Sequence, residues 1–259
     1  AIEKSRAAAL QAIEADDQVA IGHSVLGWVR LWTGDIGGAC ASFKEALRLN
    51  PSAPYALHGD ADCLMLEGRM EDSVSRTREV LAIAPFSAMH NRPLVFHLFL
   101  ARRYDEAIEA ALAAQARAPG FSMHAILARV YWAQGDRDNA LEAEHRELGY
   151  RGDTALMAAL EQGLESAGPS GAMLAMAEAL VDRAQTTYVD PFLIGETFAR
   201  AGEVDEALLW LDRAVQYGSF EITYIAFRPD FDVLREDPRY WDLVDRVYGP
   251  GNPIAAGAY

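Results

Sequence analysis

The sequence predicts an all-α solenoid of stacked antiparallel helix pairs. Three ladders carry this expectation. Pro51, Pro85 and Pro119 recur at intervals of 34 residues. The turn residues Gly34, Gly68, Arg102, Gly135, Gly168 and Gly202 advance by 34, 34, 33, 33 and 34. Ala39, Ser73, Ala107, Ala140, Met173 and Ala207 keep the same register. A fixed period in this range marks a repeat architecture, in which each unit buries its apolar face against the next.

Residues 1–16, AIEKSRAAALQAIEAD, match only a second helix, with Ala12 standing where Ala46 stands one unit later. A repeat array does not naturally begin on half a unit. The expectation is a chain cut from something longer, or a register that opens on a capping helix over residues 1–19. About six repeats then fill residues 20–217. In the first, SVLGWVRLW has apolar residues at helical spacing and Gly34-Asp35 breaks the helix. The stretch GGACASFKEALRLN is a second amphipathic helix, stopped at Asn50 because the residue before Pro51 is pushed out of the helical region. Gly27, Ala61 and Ala128 recur mid-way along first helices, where two helices cross closely only if the contacting side chains are small. Weaker copies start near Pro54, Ala88 and Phe121. The copy at 154–187 departs most: Glu161 stands where a small residue belongs, and GPSGAM makes an unusual turn. Residues 218–248 read as a degenerate C-terminal cap. In it Pro229 interrupts the first helix, and Pro238 opens the second, where proline is tolerated. The cap offers Phe231, Leu234, Tyr240, Trp241 and Leu243 to cover the helix ending at Tyr217. Residues 249–259, GPGNPIAAGAY, read as a loop-like tail.

The repeat resembles the tetratricopeptide repeat (TPR) family. Leu26, Gly27, Gly34, Asp35, Ala39, Phe43, Ala46 and Pro51 fill its pattern, and IGETFARAGEVDEALLWLDRAV at 194–215 fills it again. The resemblance implies a right-handed TPR solenoid acting as a scaffold for other proteins. The closing segment RPDFDVLREDPRYWDLV is similar to the end of TPR arrays in bacterial signalling proteins, where the array follows a nucleotide cyclase, winged-helix or kinase domain. That similarity implies a place in a larger regulator.

Composition narrows the function classes. Among 259 residues, 38 are acidic and 23 are Lys or Arg, for a net charge of -15. This is the wrong sign for nucleic acid or for an anionic membrane. No run approaches the length of a membrane span. Two cysteines, Cys40 and Cys63, are too few for a disulfide framework. They read as two small buried hydrophobes of a reduced, cytoplasmic protein, although adjacent repeats bring them within reach of each other. The catalytic search finds no phosphate loop and no nucleophile elbow. His23, His58, His90, His97, His124 and His145 include no pair at the three- or four-residue spacing of a helical metal site. No metal, cofactor or catalytic residue is expected. Asp105-Glu106, Glu203, Asp205-Glu206 and Glu236-Asp237 fall in turns and second helices, and several stand at helix starts, where they complement the helix dipole.

The first helices of such a stack line its inner, concave surface. One register position reads Trp28, Asp62, Phe96, Arg129, Gln162, Glu196, and the next turn reads Leu31, Met65, Phe99, Trp132, Glu165, Ala199. Trp32, Tyr55, His58 and Arg92 flank them. Two readings fit this stripe. In one it is a groove for a protein or peptide, held by Trp28, Trp32, Tyr55, His58, Asp62, Arg92, Phe96, Phe99, Arg129 and Trp132. In the other it is internal packing, against a tightly wound array or the chain's own end. The positions at which the family clamps acidic chaperone tails fall on Ser24, Trp28, Gly59, Met89 and Pro93, none of them Lys, Arg or Asn. That mode of binding is therefore not expected. The expected function is a protein–protein interaction scaffold; the alternative is a small-molecule sensor or enzyme using the aromatic cavity.

Overall fold

The computed structural model describes residues 2–83, 88–118 and 120–249, without the side chains of Ala88 and Met89. Pro85, Pro119 and the tail from Pro250 lie outside the described residues. Among those residues there is no strand. The chain divides into two compact units, Ala1–Ala101 and Arg102–Tyr259.

The first unit holds α1 (Ile2–Ala15), α2 (Ala20–Trp32), α3 (Ile36–Leu49), α4 (Pro54–Leu66), α5 (Met70–Ile83) and α6 (Ala88–Leu100). Each packs on the next up to α6, and α2 also meets α4, as stacked hairpins require. Asp35 caps α3 by accepting from Gly38 N–H at 2.9 Å. The crossing of α2, α3 and α4 turns on one ring. Phe43 of α3 is fully buried, edge-on to Trp28 with centroids 5.3 Å apart. A Cβ on Gly27 would stand 2.5 Å from Phe43 Cε1, and a Cβ on Gly59 would stand closer still to Cζ of the same ring. The small residues let two first helices close on one aromatic wedge.

The two cysteines are not the free thiols expected from the sequence. Cys40 of α3 and Cys63 of α4 form a disulfide. Consecutive repeats place the two Cα atoms 5.7 Å apart, within bonding reach. Closing a loop of this length stabilises the fold by about 3 kcal/mol.

The second unit holds α7 (Tyr104–Arg117), α8 (His124–Gln134), α9 (Arg137–Arg151), α10 (Thr154–Ala184), α11 (Pro191–Ala201), α12 (Val204–Tyr217) and α13 (Pro238–Tyr248). The irregular repeat at 154–187 is one kinked element. Ala167 and Gly168 leave the helical region inside α10 and divide it into two arms. Glu161 does not disturb their contact, because the close approach has moved two residues along. Gly163 meets Gly171 backbone to backbone, and a Cβ on Gly171 would stand 2.6 Å from Gly163 O.

The whole turn ladder adopts positive φ: Gly34, Gly68, Gly135, Gly168 and Gly202 lie between 69° and 90°, and Arg102 lies at 59°. Arg102 is the sole non-glycine there among the described residues. Its guanidinium donates two hydrogen bonds of 2.6 Å to the Asp232 carboxylate, from the cap.

The cap departs from the helix pair expected. Phe220–Phe227 and Pro229–Leu234 are 3-10 helices, and only α13 is regular. Pro229, which has no N–H, opens the second 3-10 helix, and Pro238 occupies the first turn of α13. The segment packs on α12, α8 and α11. Phe231, Leu234, Tyr240 and Leu243 are buried, with Phe231 edge-on to Phe192 at 5.5 Å.

Gly59→Ala should cost about 1–3 kcal/mol in a urea melt, because overpacking against Phe43 outweighs the gain in helix propensity. Gly37→Ala, whose Cβ meets nothing within 4 Å, should be neutral or stabilising by up to about 1 kcal/mol.

Candidate functional site

The ten residues expected to meet a partner separate into two groups. In the first unit, Trp32 and Tyr55 are large aromatics with 43% and 44% of their surface exposed. Trp28, His58 and Phe96 are half-buried and Arg92 is exposed. Trp28 organises this face. Its Nε1 donates to Tyr55 O at 3.2 Å, its ring packs on Trp32 at 6.0 Å, and His58 stands edge-on at 4.8 Å. His90 lies behind, edge-on to both Tyr55 and His58.

Asp62 and Phe99 do not join this face. Phe99 is fully buried, so it serves the core. Asp62 is buried too and accepts from His97 Nε2 at 2.8 Å. That leaves His97 Nδ1 as the acceptor for Ser73 Oγ at 2.9 Å, while Thr77 Oγ1, 2.8 Å from the same nitrogen, donates its proton to Ser73 O at 2.9 Å. The chain of partners has the residue types of a nucleophilic triad. All four side chains are sealed between α4, α5 and α6, which makes this a satisfied buried polar network rather than an open site.

Arg129 and Trp132, in the second unit, are also occupied from within. Trp132 is buried, with the Arg137 guanidinium 4.1 Å from its ring centroid. Arg129 lies two rungs from Glu196 on the expected ladder, and the two meet. Arg129 Nε donates to Glu196 Oε1, and Nη2 donates to Oε2 at 3.0 Å. Glu196 Oε1 also accepts from Arg228 Nη2 at 2.7 Å, and Arg228 Nε donates to Asp230 at 2.9 Å. Both Arg228 and Glu196 are essentially without solvent contact. Burial alone would raise the Glu196 carboxyl, but the Arg129 and Arg228 guanidiniums overcome it and hold the group well below the usual carboxylate range. Burial raises Asp230, against the pull of Arg228, and its Oδ1 has no hydrogen-bond partner. Breaking a buried pair of this kind costs about 3–5 kcal/mol. The network anchors the cap to α8 and α11. Sequence reading missed it because RPD looks like a surface turn until the cap folds inward.

Among the described residues, no three His, Cys, Asp or Glu side chains converge as a metal site needs. None of the described helices is long and apolar enough to cross a membrane.

The tetratricopeptide-repeat family model matches residues 24–88 and 97–155. The fold is that of the tetratricopeptide repeat. The chain is similar to several solved structures. The APC/C hetero-tetramer Cut9-Hcn1 aligns with 98% of this chain and 45% of its own at 14% identity, with a TM-score of 0.54. Pseudomonas aeruginosa pilF aligns over 93% of this chain and 96% of its own at 19% identity, with a TM-score of 0.48. The TPR domain of P58(IPK) aligns over 96% and 80% at 14% identity, with a TM-score of 0.32. Among curated proteins none matches. At 14% identity the likeness to Cut9-Hcn1 shows the fold alone. TPR repeats in general mediate protein–protein interaction, so the question becomes which TPR surface of this chain is open.

His58 supplies a pH test of the aromatic face. Burial pushes its imidazole down to about 4; Asp62 opposes this, and His97 and His90 add to it. In the unfolded chain it titrates near about 6.5. Between those values the unfolded state binds a proton that the folded state does not, so stability is full above about 6.5 and falls as pH drops toward 4. His58→Phe should flatten that slope in urea melts compared at about pH 7 and about pH 5.

Proposed function

We propose that this protein is a non-enzymatic interaction scaffold whose first unit takes a peptide with apolar anchors on the face of Trp28, Trp32, Tyr55, His58, Arg92 and Phe96. The carrying observation is the exposure of Trp32 and Tyr55 beside a Trp28 fixed by its own hydrogen bond. A rigid aromatic platform with an arginine at its edge is the composition of an interface hot spot. Arg129, Trp132, Asp62 and Phe99 leave the proposed contact set because each already serves an internal partner or the core. The closing segment's similarity to signalling arrays supports a place in a larger bacterial regulator.

Peptides selected from a displayed library on the intact protein should lose about ten-fold or more in affinity on Trp32→Ala with Tyr55→Ala, at unchanged melting temperature. Phe99→Ala should instead destabilise the fold by about 3–5 kcal/mol. Full-strength binding by the double variant would place the peptide elsewhere.

A cytoplasmic setting belongs to the same proposal, and the Cys40–Cys63 bond tests it. Disulfides persist in oxidising compartments and are rare or transient in reducing ones. On the cytoplasmic reading, alkylation in intact cells before lysis modifies both thiols. A bond retained through that treatment moves the protein to an oxidising compartment.

A further inference from the structure

A second surface lies in the second unit and does not depend on the aromatic face. The second arm of α10 and the helix α12 flank an open groove of about 740 Å3. Val181, Leu209, Trp210 and Phe198 give it an apolar lining, and Leu209 has 46% of its surface exposed. Its edges carry Glu178, Asp182, Glu203 and Glu206, all exposed. The carboxylates of Glu178, Glu203 and Glu206 take no hydrogen bond or ion pair from any described residue, and that of Asp182 takes only a side-chain amide contact from Gln185 at 3.4 Å. The one cation of the lining, Arg213, is stacked 4.2 Å over the Trp210 ring instead of against a carboxylate.

Helix physics accounts for half of these charges. Glu203 and Glu206 stand at the start of α12, where the dipole favours them. Glu178 and Asp182 have no such reason. They are four residues apart on one helix face, a repulsive spacing, and Asp182 lies in the last turn of α10, where the dipole disfavours an anion. An equivalent groove of about 500 Å3 between α7 and α9 makes the contrast. Its lining holds a single carboxylate, Glu142, which Arg146 neutralises at 2.5 Å. The architecture is shared, so the uncompensated acid sets the α10–α12 groove apart from the α7–α9 groove.

We propose that the α10–α12 groove docks a lysine- or arginine-rich amphipathic segment of another protein. The apolar anchors of that segment would lie on Leu209 and Trp210, and its cations would meet the four carboxylates. Apolar contact supplies affinity, and the unpaired carboxylates select the sign of the partner and speed its approach.

The probe is a synthetic amphipathic helix of Lys and Leu, titrated into the isotope-labelled full chain, with a matched Glu and Leu peptide as its counterpart. Backbone amide shifts should concentrate on 169–184 and 204–217 for the basic peptide and be absent for the acidic one. Glu178→Gln with Asp182→Asn and Glu206→Gln should weaken binding about ten-fold or more, while Glu109→Gln with Asp138→Asn, which removes exposed carboxylates near the other groove, should change it less than about two-fold. Leu209→Ser should weaken binding at unchanged melting temperature, and the single Glu178→Gln keeps the test open if the triple variant melts early. The proposal is overturned if the shifts spread over the acidic surface, if the two carboxylate sets matter equally, if Leu209→Ser binds normally, if spermidine alone displaces the peptide at equal charge concentration, or if no shifts occur.

Discussion

Residues held at positive φ recur every 33 or 34 positions along this chain, and that constraint sets the register of the helices. L-residues avoid the region because Cβ crowds the backbone, so glycine occupies five of the six turns. Arg102 takes the sixth at a cost of about 1–2 kcal/mol. Its two hydrogen bonds to Asp232 are the visible compensation, and they tie the first turn of the second unit to the cap. Once the turns are placed, the small residues fall where helices cross, and Phe43 fits between Gly27 and Gly59.

Buried charge does for the second unit what the aromatic wedge does for the first. Glu196, Arg129, Arg228 and Asp230 join α8, α11 and the cap by geometry that tolerates little displacement. The cap is thus more than an apolar lid over α12. It enters among the first helices of its unit and engages the cation that the repeat register would have offered to a partner. Asp62, held by His97 in the first unit, follows the same logic. Polar residues on the inward register of a TPR helix carry no label for the partner they meet, and here several meet their own chain.

The two surfaces proposed for binding differ in chemistry. The first-unit face is aromatic, with one arginine at its edge. The α10–α12 groove is apolar within and acidic at its edges. Two sites of unlike character suit a scaffold, whose role is to hold different partners together.

The fold was legible in the sequence because it repeats. Gly34, Gly68, Arg102, Gly135, Gly168 and Gly202 were aligned by spacing alone, and all six have positive φ. Helix starts at Pro54, Pro191 and Pro238 and capping by Asp35, Asp136 and Asp153 are local choices that neighbouring residues dictate. The sites were less legible. Trp32 and Phe99 both belong to the same aromatic stripe, yet one is exposed and the other fully buried. Cys40 and Cys63 read as free thiols and are bonded. Glu196 read as a polar rung and is buried between two arginines. By itself the sequence determined the period, the turns and the helix boundaries, since these depend on residues within a few positions of one another. Only the tertiary structure decided which inward side chains are open, paired or bonded, because that depends on how closely helices far apart in sequence approach and on where the cap folds.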